Sequence, residues 1–144
     1  MAKVELTWKG NMLFESKHDD GTFMIDNPTD GSESRGMGPK ALMLSSLAGC
    51  GGLDIVSLLK KMRAEVDEFK IDVTAELTDE HPKIYKNVIV TYRFFGKEFK
   101  KDKIQKAVDL SVERYCGVME MFRKFTDVTV NVEYNRTVKK LLCK

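Results

Sequence analysis

Several familiar chemistries lack their local signature in this chain. It has no Gly-x-Gly-x-x-Gly, no Walker-type phosphate loop, no Cys-x-x-Cys pair and no His-Glu-x-x-His. That removes the sequence basis for a dinucleotide fold, a nucleotide triphosphatase, a thioredoxin-like dithiol or a zinc peptidase. Histidine is scarce: His18 and His81 are the two present. Neither has a partner at ligand or triad spacing, and both are expected at the surface. The three cysteines, Cys50, Cys116 and Cys143, are an odd set without repeated spacing, so no disulfide framework can be read from them. Their spacing and company suggest no metal. A large excess of one charge is also missing. A formal net charge of +2, with lysines spread along the chain, gives no reason to expect nucleic acid or an anionic membrane as a partner. The opening residues Met1-Ala2-Lys3-Val4-Glu5-Leu6 hold no apolar signal core, so the expected compartment is the cytoplasm. Cysteines kept in a reducing compartment are more often buried, catalytic or redox-sensing than structural cross-links. Internal repeats and low-complexity stretches are absent as well.

What is present suits one globular domain over residues 1–144. The length of 144 residues, with 42% hydrophobic and 32% charged positions, allows a real core and is short for two domains. Residues 41–59 are apolar enough to raise the question of a membrane span. The run carries Asp54, glycines and serines, with Lys60-Lys61 directly after it. An aspartate in a lone span costs about 2.5–3.5 kcal/mol, so a helix buried in protein is the better expectation.

Residues 3–9 alternate polar and apolar, as a half-buried strand does. Residues 12–16 and 22–25 flank Asp19-Asp20-Gly21, a hairpin signal. Residues 27–38 hold Pro, Gly, Ser and Asp almost throughout, a loop long enough to be functional. Pro39 suits the first position of a helix, which is expected to run to Lys60-Lys61-Met62-Arg63. The first half of that helix is apolar on nearly every side. One sheet covers only one face of a helix, so a second subunit is expected to cover the rest. Residues 70–77, 86–95 and 127–134 read as strands. Asp102 is placed to cap a helix with Ile104, Val108, Ser111, Val112 and Tyr115 on its apolar face. Cys116-Gly117 interrupts it, and a short helix resumes at Val118. Grouped strands separated by helices favour α+β with a largely antiparallel sheet.

Cys50 and Cys116 are the candidate chemistry, 66 positions apart. Cys50 alone, in an apolar helix, reads first as a core residue whose dry surroundings make it inert. To act, it needs a cation nearby, and Arg35 in the preceding loop is the best placed in sequence. Gly49, Gly51 and Gly52 around Cys50 cost about 2–3 kcal/mol of helix propensity relative to alanine. Such a cost signals either room for a ligand or a close backbone approach. Cys116, at the start of the short helix, is expected to have its thiol pKa lowered by the helix dipole. Cys143 reads as incidental. From the residues alone, a thiol redox enzyme and a binding or structural domain stay level.

The stretches Gly38-Pro39-Lys40-Ala41-Leu42-Met43-Leu44-Ser45-Ser46-Leu47-Ala48-Gly49-Cys50 and Ala107-Val108-Asp109-Leu110-Ser111-Val112-Glu113-Arg114-Tyr115-Cys116 resemble the OsmC/Ohr family, the osmotically inducible and organic-hydroperoxide-resistance proteins. The likeness is greatest to the OsmC-like branch. The resemblance implies an OsmC-like α+β fold with an antiparallel sheet, a long buried central helix and an intertwined homodimer. It implies a thiol peroxidase of organic hydroperoxides, with antioxidant and oxidative-stress roles. Cys50 matches the peroxidatic cysteine, Cys116 the resolving cysteine, and Arg35 lies in the loop that supplies the family's catalytic arginine. No bound cofactor is implied; an external dithiol reductant, of lipoyl or similar type, is. Lys40 and Ala41 stand where typical members carry an acidic residue, and Gly117 stands where a proline commonly follows the second cysteine. The alternative expectation is a redox-sensing or small apolar-ligand-binding dimer on the same scaffold, with little turnover.

Overall fold

A computed structural model describes residues 1–137; Cys143 lies outside the described residues. The elements in chain order are β1 (Glu5–Trp8), β2 (Phe14–His18), β3 (Gly21–Ile25), α1 (Pro39–Lys61), β4 (Glu68–Leu77), β5 (Tyr85–Gly96), α2 (Lys101–Leu110), a π-helical turn (Ser111–Tyr115), α3 (Gly117–Arg123) and β6 (Val128–Arg136). The fold class is α+β, with two three-stranded sheets. The chain divides into two compact units, Met1–Leu44 and the remainder from Ser45.

In the first unit β1, β2 and β3 form an antiparallel meander. The β2–β3 hairpin closes at Asp19-Asp20, with His18 opposite Gly21, as the turn residues predict. β1 departs from its expected burial. All four of its residues are exposed, Trp8 at 64%, because no layer among the described residues covers the apolar side of that strand. The long loop that follows is anchored. The Asp26 carboxylate accepts from the Arg35 backbone N–H at 2.9 Å, and Met37 bridges back to Ile25. Gly36 permits this closure: a Cβ there would lie 2.6 Å from the Met24 carbonyl oxygen.

In the second unit β5 is the central strand, antiparallel to β4 and parallel to β6. One parallel pair among four strand pairings agrees with the largely antiparallel arrangement that strand grouping suggests. β5 and β6 are joined through α2, the π turn and α3, and a crossover of that length is what lets strands run the same way. Side chains alternate across the sheet. Val88, Val90, Tyr92 and Phe94 are fully buried on one side, and Phe69 stacks on Phe94 at a ring separation of 4.6 Å. The opposite side carries charge, with Arg93 bridged to Asp72 at 3.3 Å.

α1 begins at Pro39 and ends two residues earlier than expected, at Lys61. Lys60 and Lys61 fill its last turn, favourable beside the negative end of the dipole. Arg63 follows in the left-handed region with φ of +53°, which stops the helix. Lys103 Nζ and Lys100 Nζ then donate to the Met62 and Arg63 carbonyls at 2.9 and 2.7 Å. The buried residues of α1 are Leu47, Gly51, Ile55 and Leu59, a stripe of period four that presses on the second unit's apolar layer. The helix is long and apolar enough to cross a membrane by length and composition, but that stripe and a hydrogen-bonded Asp54 identify a core helix. Part of its remaining apolar surface is open: Leu53 is 77% and Val56 54% exposed.

α2 starts one residue before Asp102. Lys100 occupies the cap position with no side-chain cap, and Asp102 lies inside the first turn. Asp102 therefore acts on the helix dipole rather than as the expected cap. The buried face is Ile104, Ala107, Val108 and Ser111; Tyr115, expected on that face, is 54% exposed.

Candidate functional site

One cluster of reactive groups lies within the second unit, where α1 meets the π turn and α3. Cys50 and Asp54 are four residues apart on α1, hence on one helix face. The sulfurs of Cys50 and Cys116 and a carboxylate oxygen of Asp54 all lie within 4.8 Å of one another. Among the described residues they are the one convergence of three or more Cys, His, Asp or Glu donors. Cys50 is half-buried and Cys116 buried, and both thiols are free.

Cys116 is delivered by the irregularity in front of it. Its backbone N–H bonds the Ser111 carbonyl, five residues back, at 2.9 Å, so one residue more than an α-turn holds is taken up before the chain breaks. Cys116 is extended and caps α3, its sulfur accepting from the Met119 N–H at 3.3 Å. Ser111 faces the same way: its hydroxyl donates to Asp54 Oδ2 at 3.2 Å and approaches the Gly51 carbonyl at 3.4 Å.

The electrostatics correct one expectation. The Cys116 thiol pKa is pushed up, to about 11, not down. Burial is the first cause, and a side-chain hydrogen bond to Cys50 the second. The Met119 N–H opposes them without winning, and negative charge on Cys50 and Asp54 adds to the rise. A local dipole is a surface-strength effect; loss of water and a neighbouring sulfur outweigh it. Cys116 is a thiol at neutral pH, held as a proton donor toward Cys50.

Tyr92 completes the cluster from β5. Its side chain is 0% exposed and its hydroxyl has no hydrogen-bond partner among the described residues. Burial pushes its pKa up to about 12, with Cys116, Asp54 and Cys50 adding to the rise and Arg123 opposing it. Gly51 makes room for this hydroxyl, since a Cβ there would lie 2.8 Å from it. The glycines near Cys50 thus divide. Gly51 is a close approach, Gly52 meets only the tip of Ile71, and Gly49 faces open space.

Arg35 belongs to the first unit, on its exposed loop, beside a groove of about 550 Å³ shared with Asp26, Asp30, Ser32 and Glu33. The cluster built from the second unit's own residues does not include it. Sequence reasoning brought Cys50 and Cys116 forward and missed Asp54, Tyr92 and Arg123. A carboxylate one turn after a cysteine, inside an otherwise apolar helix, is the signal that could have found Asp54. Tyr92, on an alternating strand, gave none.

Comparison with known proteins follows the same lines. The family model described as OsmC-like protein matches residues 30–133. Protein YhfA of Escherichia coli strain K12 is 26% identical over 131 residues, covering 91% of this chain and 96% of that protein. The crystal structure of a hypothetical protein from Aquifex aeolicus VF5 superposes with a TM-score of 0.84 at 29% identity, over 96% of this chain and 98% of that one. The organic hydroperoxide resistance protein OhrB of Bacillus subtilis shares the fold, with a TM-score of 0.61 at 24% identity over 92% of this chain and 98% of its own.

Proposed function

The chain belongs to the OsmC-like family, and on that premise we propose that it is a thiol-dependent peroxidase that reduces organic hydroperoxides in the cytoplasm. The observation that carries this is the pair of sulfurs within 4.8 Å, one half-buried and one buried. Cys50, the more open, is the attacking sulfur. Its thiolate takes the terminal oxygen of the hydroperoxide, the O–O bond breaks, and the alkoxide leaves as an alcohol with a proton from solvent, giving a Cys50 sulfenic acid. Cys116 attacks that sulfur. The thiol proton and the departing hydroxyl leave as water, and a Cys50–Cys116 disulfide forms at about 2.05 Å. An external dithiol, of lipoyl or similar type, takes the oxidising equivalents and returns both thiols.

The division of labour follows from the surroundings. Cys116, protonated and hydrogen-bonded to Cys50, supports negative charge on its neighbour instead of competing with it. Apolar residues around Cys50 suit alkyl over inorganic peroxide. Arg35 is assigned the role of the cation that holds the Cys50 thiolate. The working form is a homodimer, in which a second copy covers Leu53 and Val56, exposed on α1 at 77% and 54%. The test is consumption of an alkyl hydroperoxide with a dithiol reductant. Cys50→Ser should reduce turnover to background. Cys116→Ser should stop at one equivalent with a sulfenic acid that a carbon nucleophile traps. Wild-type protein without turnover under either lipoyl or small-dithiol reductants would refute the proposal.

A further inference from the structure

We infer that the reduced cluster is also a binding site for a thiophilic divalent cation, with Cys50, Asp54 and Cys116 as ligands and Zn²⁺ as the ion that fits them. Three donors converge within 4.8 Å. Tetrahedral zinc holds sulfur at about 2.3 Å and carboxylate oxygen at about 2.0–2.2 Å, which puts donors about 3.5–3.8 Å apart. Closing from 4.8 Å onto an ion therefore asks for a contraction of about 1.3 Å at most. Two of the ligands stand on one face of a rigid helix and the third caps another element, so the site is chelating rather than a chance meeting of surface groups. Two thiolates and one carboxylate select zinc-like ions over magnesium or calcium.

The surroundings are those a metal site needs. Ser111 holds one oxygen of Asp54 at 3.2 Å and leaves the other for the ion. The Met119 N–H donates to the Cys116 sulfur at 3.3 Å, a hydrogen bond that a metal-bound sulfur can keep. Tyr92 points to an occupant independently. Its hydroxyl is wholly buried and, among the described residues, unpartnered, and it lies against Gly51, the residue next to Cys50 on α1. A water in the fourth position of the ion would supply the missing partner. Binding moves no electrons: the two thiols lose their protons to solvent and the ion takes their place. Oxidation to the disulfide removes two of the three ligands, so occupancy and thiol oxidation exclude each other.

The test uses the full-length reduced protein, freed of metal and titrated with Zn²⁺ against a chromophoric chelator, and with Cd²⁺ followed by sulfur-to-metal charge transfer. One ion per chain is expected, with both thiols protected from alkylation and no uptake by the oxidised protein. Asp54→Asn should lose at least tenfold in affinity while keeping the two-thiolate band, and Tyr92→Phe should lose less. X-ray absorption of the zinc-loaded protein should show two sulfurs with oxygen completing the shell, a readout that stands if a variant fails to fold. No uptake beyond that of Cys50→Ser/Cys116→Ser, unchanged affinity in Asp54→Asn, or an all-sulfur shell would overturn the inference. None of these readouts uses peroxide turnover.

Discussion

Replacing Gly51 with alanine sets two opposed effects against each other. Alanine in a helix interior is worth about 1 kcal/mol over glycine. The new methyl, however, would sit 2.8 Å from the Tyr92 hydroxyl oxygen. Tyr92 is fully buried in the central strand and cannot swing into solvent. Overpacking of that kind costs about 1–3 kcal/mol, so Gly51→Ala should destabilise by up to about 2 kcal/mol. Tyr92→Phe acts the other way. It removes a buried hydroxyl with no partner, whose desolvation costs about 1–3 kcal/mol, and should be neutral or stabilising. In the double variant the nearest ring carbon lies at an ordinary 3.7 Å from the new methyl, and the helix-propensity gain returns. The coupling between the two sites should be about 1–3 kcal/mol. Gly52→Ala is the internal comparison. Its methyl meets only the flexible Cδ1 of Ile71, and it should gain most of the helix propensity. Urea unfolding at fixed protein concentration, with reductant and chelator present, measures all four. Additivity of Gly51→Ala and Tyr92→Phe within about 0.5 kcal/mol would refute the packing of β5 against α1 described above.

Two shorter expectations accompany it. Leu53→Arg places a charge on the exposed apolar face of α1. In the proposed two-fold interface the change counts twice, so at one concentration sedimentation should show a dimer for wild type and a monomer for the variant. Lys103→Met removes the donor at 2.9 Å to the Met62 carbonyl; it should cost about 0.5–1.5 kcal/mol and speed amide exchange in the last turn of α1.

The parts of the fold that announce themselves are those governed by nearest neighbours. Pro39 and the pair Lys60-Lys61 bracket α1 to within two residues, because φ restriction and the helix dipole act locally. Alternation marks β4, β5 and β6 because a sheet with one buried face needs it. Long-range decisions leave no such trace. The parallel β5–β6 pair depends on how the crossover packs. The exposure of β1 depends on which surface this chain leaves uncovered. The Cys116 thiol shows the same limit: its place at a helix start argues for a lowered pKa, while burial and Cys50, distant in sequence, decide the opposite. Asp54 was visible only as a residue unsuited to a membrane. Its partner Ser111 stands 57 positions away.

The π turn explains why the cluster exists at all. An α-helix advances about 100° per residue, so residues five apart point about 140° away from one another. On a regular continuation of α2, Ser111 could face Asp54 or Cys116 could face Cys50, but not both. Widening the turn so that the Cys116 N–H reaches Ser111 absorbs that angle and aims both side chains at α1. The change releases the Val112 carbonyl, which the Cys116 N–H would serve in an α-helix, and Arg123 Nη1 donates to it at 2.8 Å. The same guanidinium opposes the pKa rise at Tyr92. Arg123 therefore both secures the irregular turn and brings positive charge to bear on Tyr92 in the cluster, a double role that follows from the geometry of one widened turn.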